Sequence, residues 1–174
     1  AIARQTLENH FEGKNTGDDL YSSYTVTDKL KEKAGVFVTL KINGHLRGCI
    51  GSIIGVEPLA EGVHNNVLKS AFQEHRFRPL KEKELKEVDI EISVMTPLQE
   101  ITDYKKIRLG IDGVILKKGR YQSVFLPQVA TETGWNLDQF LGRLSQKAGL
   151  PSDAYKLPDM QFYIFQALVF GEKD

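Results

Sequence analysis

The chain has 174 residues, 41% of them hydrophobic, with 23 Lys and Arg balanced by 23 Asp and Glu to a formal net charge of zero, and one cysteine. That length and apolar content suit one domain or two small interlocked lobes with a proper core, the absent net charge disfavours nucleic acid as a partner, and no stretch approaches the roughly 20 consecutive apolar residues of a membrane span. The N-terminus lacks the apolar core of a signal peptide and a lone cysteine forms no intramolecular disulfide, so a soluble, cytosolic protein held together by packing is expected.

Ala3, Leu7 and Phe11 recur at helical spacing and Gly13 ends the pattern, which predicts an N-terminal amphipathic helix. From Gly13 to Thr27 the sequence is polar and irregular, an exposed loop with Tyr21 and Tyr24 as anchors that serves as a lid or as slack chain. Val36, Val38, Leu40 and Ile42 then alternate with Phe37, Thr39 and Lys41, and Asn43-Gly44 supplies the two positive-φ positions of a type I′ hairpin. A two-residue turn pairs Ile42 with His45, Lys41 with Leu46, Leu40 with Arg47, Thr39 with Gly48 and Val38 with Cys49. On that register His45, Arg47 and Cys49 share one face, and a β-bulge at Gly48 or Gly51 would break the arrangement.

Glu57-Pro58 opens a helix whose buried stripe is Leu59, Val63, Val67 and Ala71, with His64 and Lys69 off the stripe. Val88, Ile90, Ile92 and Val94 mark a strand with one apolar face. Asp112-Gly113 opens a second hairpin, Val114 to Lys117 and Tyr121 to Leu126. Asn136 reads as a helix N-cap with Gln139 three residues on, and Phe140, Leu141, Leu144 and Ala148 form that helix's core face up to the stop at Gly149. Phe162 to Phe170 is an almost unbroken apolar run, the pattern of a central buried strand. The order hairpin, helix, strand thus occurs twice. The expectation is an α+β fold of two structurally related repeats sharing one curved, barrel-like, mainly antiparallel sheet, with a cleft between lobes. The domain is 1–174, with lobe one at about 28–98, lobe two at about 105–171, and the N-terminal helix and loop in 1–27.

Chemistry centres on Leu46-Arg47-Gly48-Cys49-Ile50-Gly51. A neighbouring guanidinium favours thiolate over thiol, which is one way a cysteine becomes nucleophilic; the plainer alternative is a buried structural thiol. Gly48 and Gly51 would let a ligand or another strand approach the backbone. Arg47 needs an anionic ligand or a carboxylate partner, for which Glu74, Glu91 and Asp89 are candidates. His45 beside the turn is read first as solvated. His75 sits in a loop with Arg76 and Arg78, free to face the same site. Cys49 and the histidines lack a recognised metal-ligand spacing, so no metal is assigned, and no Walker loop, dinucleotide fingerprint or nucleophile elbow implies a cofactor.

Gly35-Val36-Phe37-Val38-Thr39-Leu40 followed by Gly44-His45-Leu46-Arg47-Gly48-Cys49-Ile50-Gly51 resembles the signature of the AMMECR domain family, called AmmeMemoRadiSam system protein A in prokaryotes. Arg76-Phe77-Arg78-Pro79-Leu80, Glu91-Ile92-Ser93-Val94, Phe125-Leu126-Pro127-Gln128-Val129 and Lys147-Ala148-Gly149-Leu150 resemble its other blocks in order, so the resemblance spans nearly the whole chain. It implies an α+β fold of two related β-rich repeats with a cleft, and a family without an established molecular function. The family's Asp-Pro before the Arg-Phe pair is here Glu74-His75, which keeps a carboxylate and loses the rigid turn.

Two functions from different classes follow. In the first, an enzyme acts on a small or modified molecule, with Cys49 as nucleophile or acceptor, Arg47 lowering its pKa or binding an anion, and Glu74 or His75 moving protons, while Gly48, Gly51, His45 and Arg76 contact the ligand. The family's association with Memo-like and radical S-adenosylmethionine proteins implies a shared modification pathway and those proteins as partners. In the second, the hairpin is a non-catalytic binding module for a protein or small ligand and Cys49 is filler.

Overall fold

The structure, a computed structural model, describes residues 1–14 and 24–172; the loop expected through Asn15, Asp19 and Tyr21 lies outside the described residues. In chain order the elements are α1 (Ile2–Phe11), α2 (Asp28–Lys31), β1 (Val36–Ile42), β2 (His45–Ser52), α3 (Leu59–Phe72), β3 (Val88–Met95), β4 (Gln99–Ile101), β5 (Gly113–Lys118), β6 (Tyr121–Phe125), α4 (Gln128–Thr133), α5 (Leu137–Lys147), β7 (Gln161–Phe165) and β8 (Ala167–Gly171). The chain forms two compact units, one running to Met95 and resuming at Leu168, the other Thr96–Ala167.

In the first unit the sheet order is β2-β1-β3-β8, with β1 antiparallel to both β2 and β3. Alternation puts Val36, Val38, Leu40, Val88 and Ile90 on one face, where Ala3 and Leu7 of α1 and Val63, Val67 and Ala71 of α3 complete a core. Each fully buried aliphatic side chain contributes about 1.5–3 kcal/mol. Asn43 at φ 51 and Gly44 at φ 77 form the expected hairpin turn.

In the second unit the order is β4-β7-β5-β6, and Val114, Leu116 and Phe162 pack on Phe140, Leu141 and Leu144 of α5. The α5 cap is as the sequence predicts: Asn136 Oδ1 accepts from Gln139 N at 2.9 Å and Gln139 Oε1 accepts from Asn136 N at 3.1 Å. Gly149, at φ 83, follows the helix end.

Two expectations need correction. The strands form two four-stranded sheets rather than one shared sheet, because each sheet buries its apolar face under its own helices. Phe162 to Phe170 is not one central strand. It breaks at Gln166, whose N–H donates to Thr96 Oγ1 and whose carbonyl accepts from Thr96 N, both at 2.8 Å. Gln166 Nε2 also donates to Asp112 Oδ1 at 3.1 Å. The two sheets nevertheless order their strands alike: second hairpin strand, first hairpin strand, the strand after the long helix, then a short fourth strand. In each sheet that fourth strand is the segment following the other sheet's third strand, β8 after β7 and β4 after β3.

His64, off the apolar stripe of α3, is buried all the same, and its Nδ1 lies 2.9 Å from Thr6 Oγ1, joining α3 to α1. Burial holds its pKa below the ordinary 6.5. The unfolded chain therefore binds a proton that the folded chain resists, so the stabilisation present above pH 6.5 is lost as pH falls below it. Thermal melts between pH 7 and pH 5 are expected to lose stability faster in the native protein than in His64→Gln, by no more than about 1.4 kcal/mol per pH unit. Parallel curves for the two proteins would show that His64 titrates as it does in solvent.

Candidate functional site

The hairpin carries a bulge that the sequence register lacked. Ile42 pairs with His45 and Lys41 with Leu46, but Leu40 pairs with Gly48 and Thr39 with Cys49, leaving Arg47 as the extra residue. The cause lies in α3. Its Ser70 hydroxyl accepts from Ile50 N at 2.8 Å and donates to the Val38 carbonyl at 2.7 Å, bridging two cross-strand partners. A Cβ on Gly48 would overlap the Ser70 carbonyl oxygen, and one on Gly51 would overlap the Val36 carbonyl and Phe37. Close packing of backbone therefore accounts for both glycines.

The bulge re-aims every residue beyond it. Without it Cys49 would oppose Val38 and face the core. With it Cys49 opposes Thr39 and stands half-buried on the outward, polar face. His45, Arg47 and Cys49 consequently do not form one regular strand face, which corrects the sequence reading. Thr39 Oγ1 donates to Cys49 Sγ at 3.2 Å. Farther along, Thr39 pairs with Glu91 on β3, and Glu91 accepts from Lys41 Nζ at 2.7 Å.

Arg47 finds its carboxylate in Glu84, not in Glu74, Glu91 or Asp89. Its Nε donates to Glu84 Oε1 at 2.9 Å and its Nη2 to Glu84 Oε2 at 3.1 Å, a bidentate fork. The same guanidinium donates to the Arg78 carbonyl at 2.9 Å and the Pro79 carbonyl at 3.3 Å. Arg47 thereby fastens the segment after α3 along β2, an edge strand. Its hydrogen bonds hold the Glu84 carboxyl below its ordinary pKa.

The same segment brings Glu74 and Arg76 to Cys49. Glu74 Oε2 accepts from Arg76 Nη2 at 2.6 Å and from Arg76 Nε at 3.1 Å. Hydrogen bonds from the Arg76 side chain and backbone, with a weaker one from the Cys49 N–H, bring the Glu74 pKa down to about 2. Glu74 is then ionised throughout the physiological range, too weak a base to take a thiol proton efficiently. Its side chain is 10% exposed while that of Arg76 is 62% exposed. The solvent-facing cation of this segment is thus Arg76, held by Glu74. His75 and His45 are both exposed, which fits the solvated reading of His45.

Sequence reasoning missed Thr39, Ser70 and Glu84. A buried polar pair at helical spacing, Asn66 and Ser70, was the available sign that α3 hydrogen-bonds to the sheet; Asn66 Nδ2 donates to the Val36 carbonyl at 3.1 Å. No group of three or more His, Cys, Asp or Glu residues with metal-binding geometry occurs among the described residues. A groove of about 410 Å³ in the second unit, lined by Trp135, Asp138, Arg143, Tyr155 and Lys156, contains none of the candidate residues.

The profile of the AMMECR1 family matches residues 1–170. A protein of Methanothermobacter thermautotrophicus is 40% identical over 98% of this chain and 91% of its own length. One from Nanoarchaeum equitans is 37% identical over 98% of this chain and 97% of its own length. The crystal structure of an uncharacterized protein from Pyrococcus horikoshii superposes with a TM-score of 0.82 at 36% identity, covering 99% of this chain and 88% of that one. No helix among the described residues is long and apolar enough to cross a membrane.

Proposed function

The chain belongs to the AMMECR1 family, and on that premise we propose that it acts on a small anionic molecule at the outward face of its first sheet, with Cys49 as the reacting thiol. The observation that carries this reading is the bulge at Arg47, which turns Cys49 out of the core and sets it beside the Glu74–Arg76 pair. Bulges of this kind re-aim side chains next to functional sites. Arg76 supplies the exposed charge for the substrate's anionic group, Glu74 positions Arg76, and Arg47 holds the supporting segment against β2. The family's association with Memo-like and radical S-adenosylmethionine proteins supports a cytoplasmic step in a shared modification pathway. The matching strand orders support a duplicated hairpin-helix-strand unit.

A non-catalytic binding module is the second reading, favoured by the hydrogen bond from Thr39 that ties the thiol into the sheet. Alkylation separates the two, since Cys49 is the sole cysteine. The native protein is expected to react with anionic iodoacetate and with neutral iodoacetamide. Arg76→Ala should lower the ratio of the two rates about three- to tenfold at low salt. A thiol that reacts only after unfolding, or a ratio unmoved by Arg76→Ala, would remove the enzyme reading.

A further inference from the structure

We propose that the flank of the second unit formed by β6 and α5 binds single-stranded RNA. On β6 the alternate residues Tyr121, Ser123 and Phe125 share one face of the sheet, the face on which the Ser123 hydroxyl donates to the Leu144 carbonyl of α5 at 2.6 Å. Arg143 and Lys147, one helical turn apart on α5, lean onto aromatic rings of this flank. Lys147 Nζ lies 5.0 Å from the centre of the Phe125 ring, and the Arg143 guanidinium lies 5.9 Å from that of Trp135. The two rings are themselves 6.1 Å apart. At the other end of β6 the Arg120 guanidinium lies 5.3 Å from the centre of Tyr121, which is 38% exposed. Cations and aromatic rings thus alternate along one flank of the sheet, whose last strand is β6.

The charges of this flank are uncompensated. Arg120, Arg143 and Lys147 are exposed and enter no ion pair among the described residues, whereas Lys118 of the same hairpin is paired with Asp159 at 2.6 Å. Lys147 Nζ donates to the Val124 carbonyl at 2.9 Å and Arg143 to the Gln146 amide oxygen at 3.3 Å, both neutral partners. A single strand matches this pattern, with phosphates for the cations and unstacked bases for the rings. A lipid surface would seek exposed aliphatic side chains and an acidic peptide needs the charges without the rings, so the aromatic interleaving selects nucleic acid. Zero net charge supplies no long-range attraction, and binding is accordingly local and weak. The groove of about 410 Å³ starts at the same Trp135 and Arg143 and continues over Asp138, Gln139 and Gln146. Asp138 Oδ1 accepts from the Tyr155 hydroxyl at 2.8 Å, and Oδ2 takes no hydrogen bond among the described residues. A carboxylate oxygen repels phosphate but accepts from a base N–H or a ribose 2′-hydroxyl, which commits the groove to a ribonucleoside. The surface lies within the second unit and is independent of the thiol reading.

Trp135 is the only tryptophan, so titration of the full chain with an oligouridylate hexamer is read by its quenching as well as by anisotropy of the labelled strand. At low salt the native chain is expected to bind with a Kd of about 10–100 μM, and the logarithm of the association constant should fall with that of salt at a slope of about −2, the value for three cations on a single strand. Arg143→Ala combined with Lys147→Ala should weaken binding at least about fivefold and leave a slope shallower than about −1, while Lys86→Ala in the first unit changes neither. The oligodeoxyuridylate hexamer should bind at least about threefold more weakly, for want of the 2′-hydroxyl. Absent binding, binding that ignores the loss of Arg143 and Lys147, or equal binding of oligoglutamate would overturn the proposal. Equal affinity for the two sugars would overturn the assignment to RNA.

Discussion

Gly48→Ala is expected to destabilise the protein by about 3 kcal/mol or more, although it adds one methyl group to a strand. The added carbon would overlap the Ser70 carbonyl oxygen. That oxygen belongs to the α3 backbone, so no rotamer change relieves the clash; helix and hairpin must separate. Separation strains the bonds from Asn66 to Val36 and from Ser70 to Val38 and Ile50. A second substitution of Ser70 by glycine should not rescue the variant, because it leaves the carbonyl in place. Urea unfolding gives the answer directly. A loss below about 1 kcal/mol would mean that α3 shifts freely and that it does not set the bulge.

The second large effect is at Asp112, a buried carboxylate that accepts from Arg108 N at 2.9 Å, Arg108 Nε at 3.1 Å, Arg108 Nη2 at 2.8 Å and Gln166 Nε2 at 3.1 Å. Asp112→Ala strands the Arg108 N–H and the Gln166 amide, at an expected cost of about 2–3 kcal/mol. The cost stays below that of a fully buried pair because the Arg108 side chain is more than half exposed and rehydrates. Burial alone would raise the Asp112 pKa, but the bonds from Arg108 and Gln166 outweigh it and bring it below the ordinary 3.8. The stability from Asp112 is therefore complete above pH 3.8 and is lost as pH falls through the lower folded value. Asp112→Asn keeps one acceptor oxygen, so it should lose less at neutral pH and lack that acid-dependent loss. Equal acid profiles for Asp112→Asn and the native chain would contradict the ion-pair account.

The elements that local chemistry specifies were legible in the sequence. The Asn43-Gly44 turn, the Asn136 cap and the alternation in β1 and β3 all follow from neighbouring residues. What escaped was set by distant partners. The bulge at Arg47 depends on Ser70 and Gly48 meeting across the core, and a pattern of alternation carries no trace of a helix pressing on it. The break at Gln166 depends on Thr96 and Asp112, remote in sequence. The candidate site was half legible for the same reason. Cys49, Glu74 and Arg76 were named, but the local rule that put Arg47 beside Cys49 as activating cation gave way to the bidentate bond with Glu84.

The place of β8 also bears on synthesis. Glu172 bonds to Ile90 across 82 residues, so β3 has left the ribosome before its final neighbour exists. At about 5–20 residues per second that interval is several seconds, during which the nascent chain presents an unpaired β3 edge. Completion of the first sheet thus waits for Ala167–Gly171 to emerge, and a ribosome that stalls after Ala167 would leave that sheet one strand short.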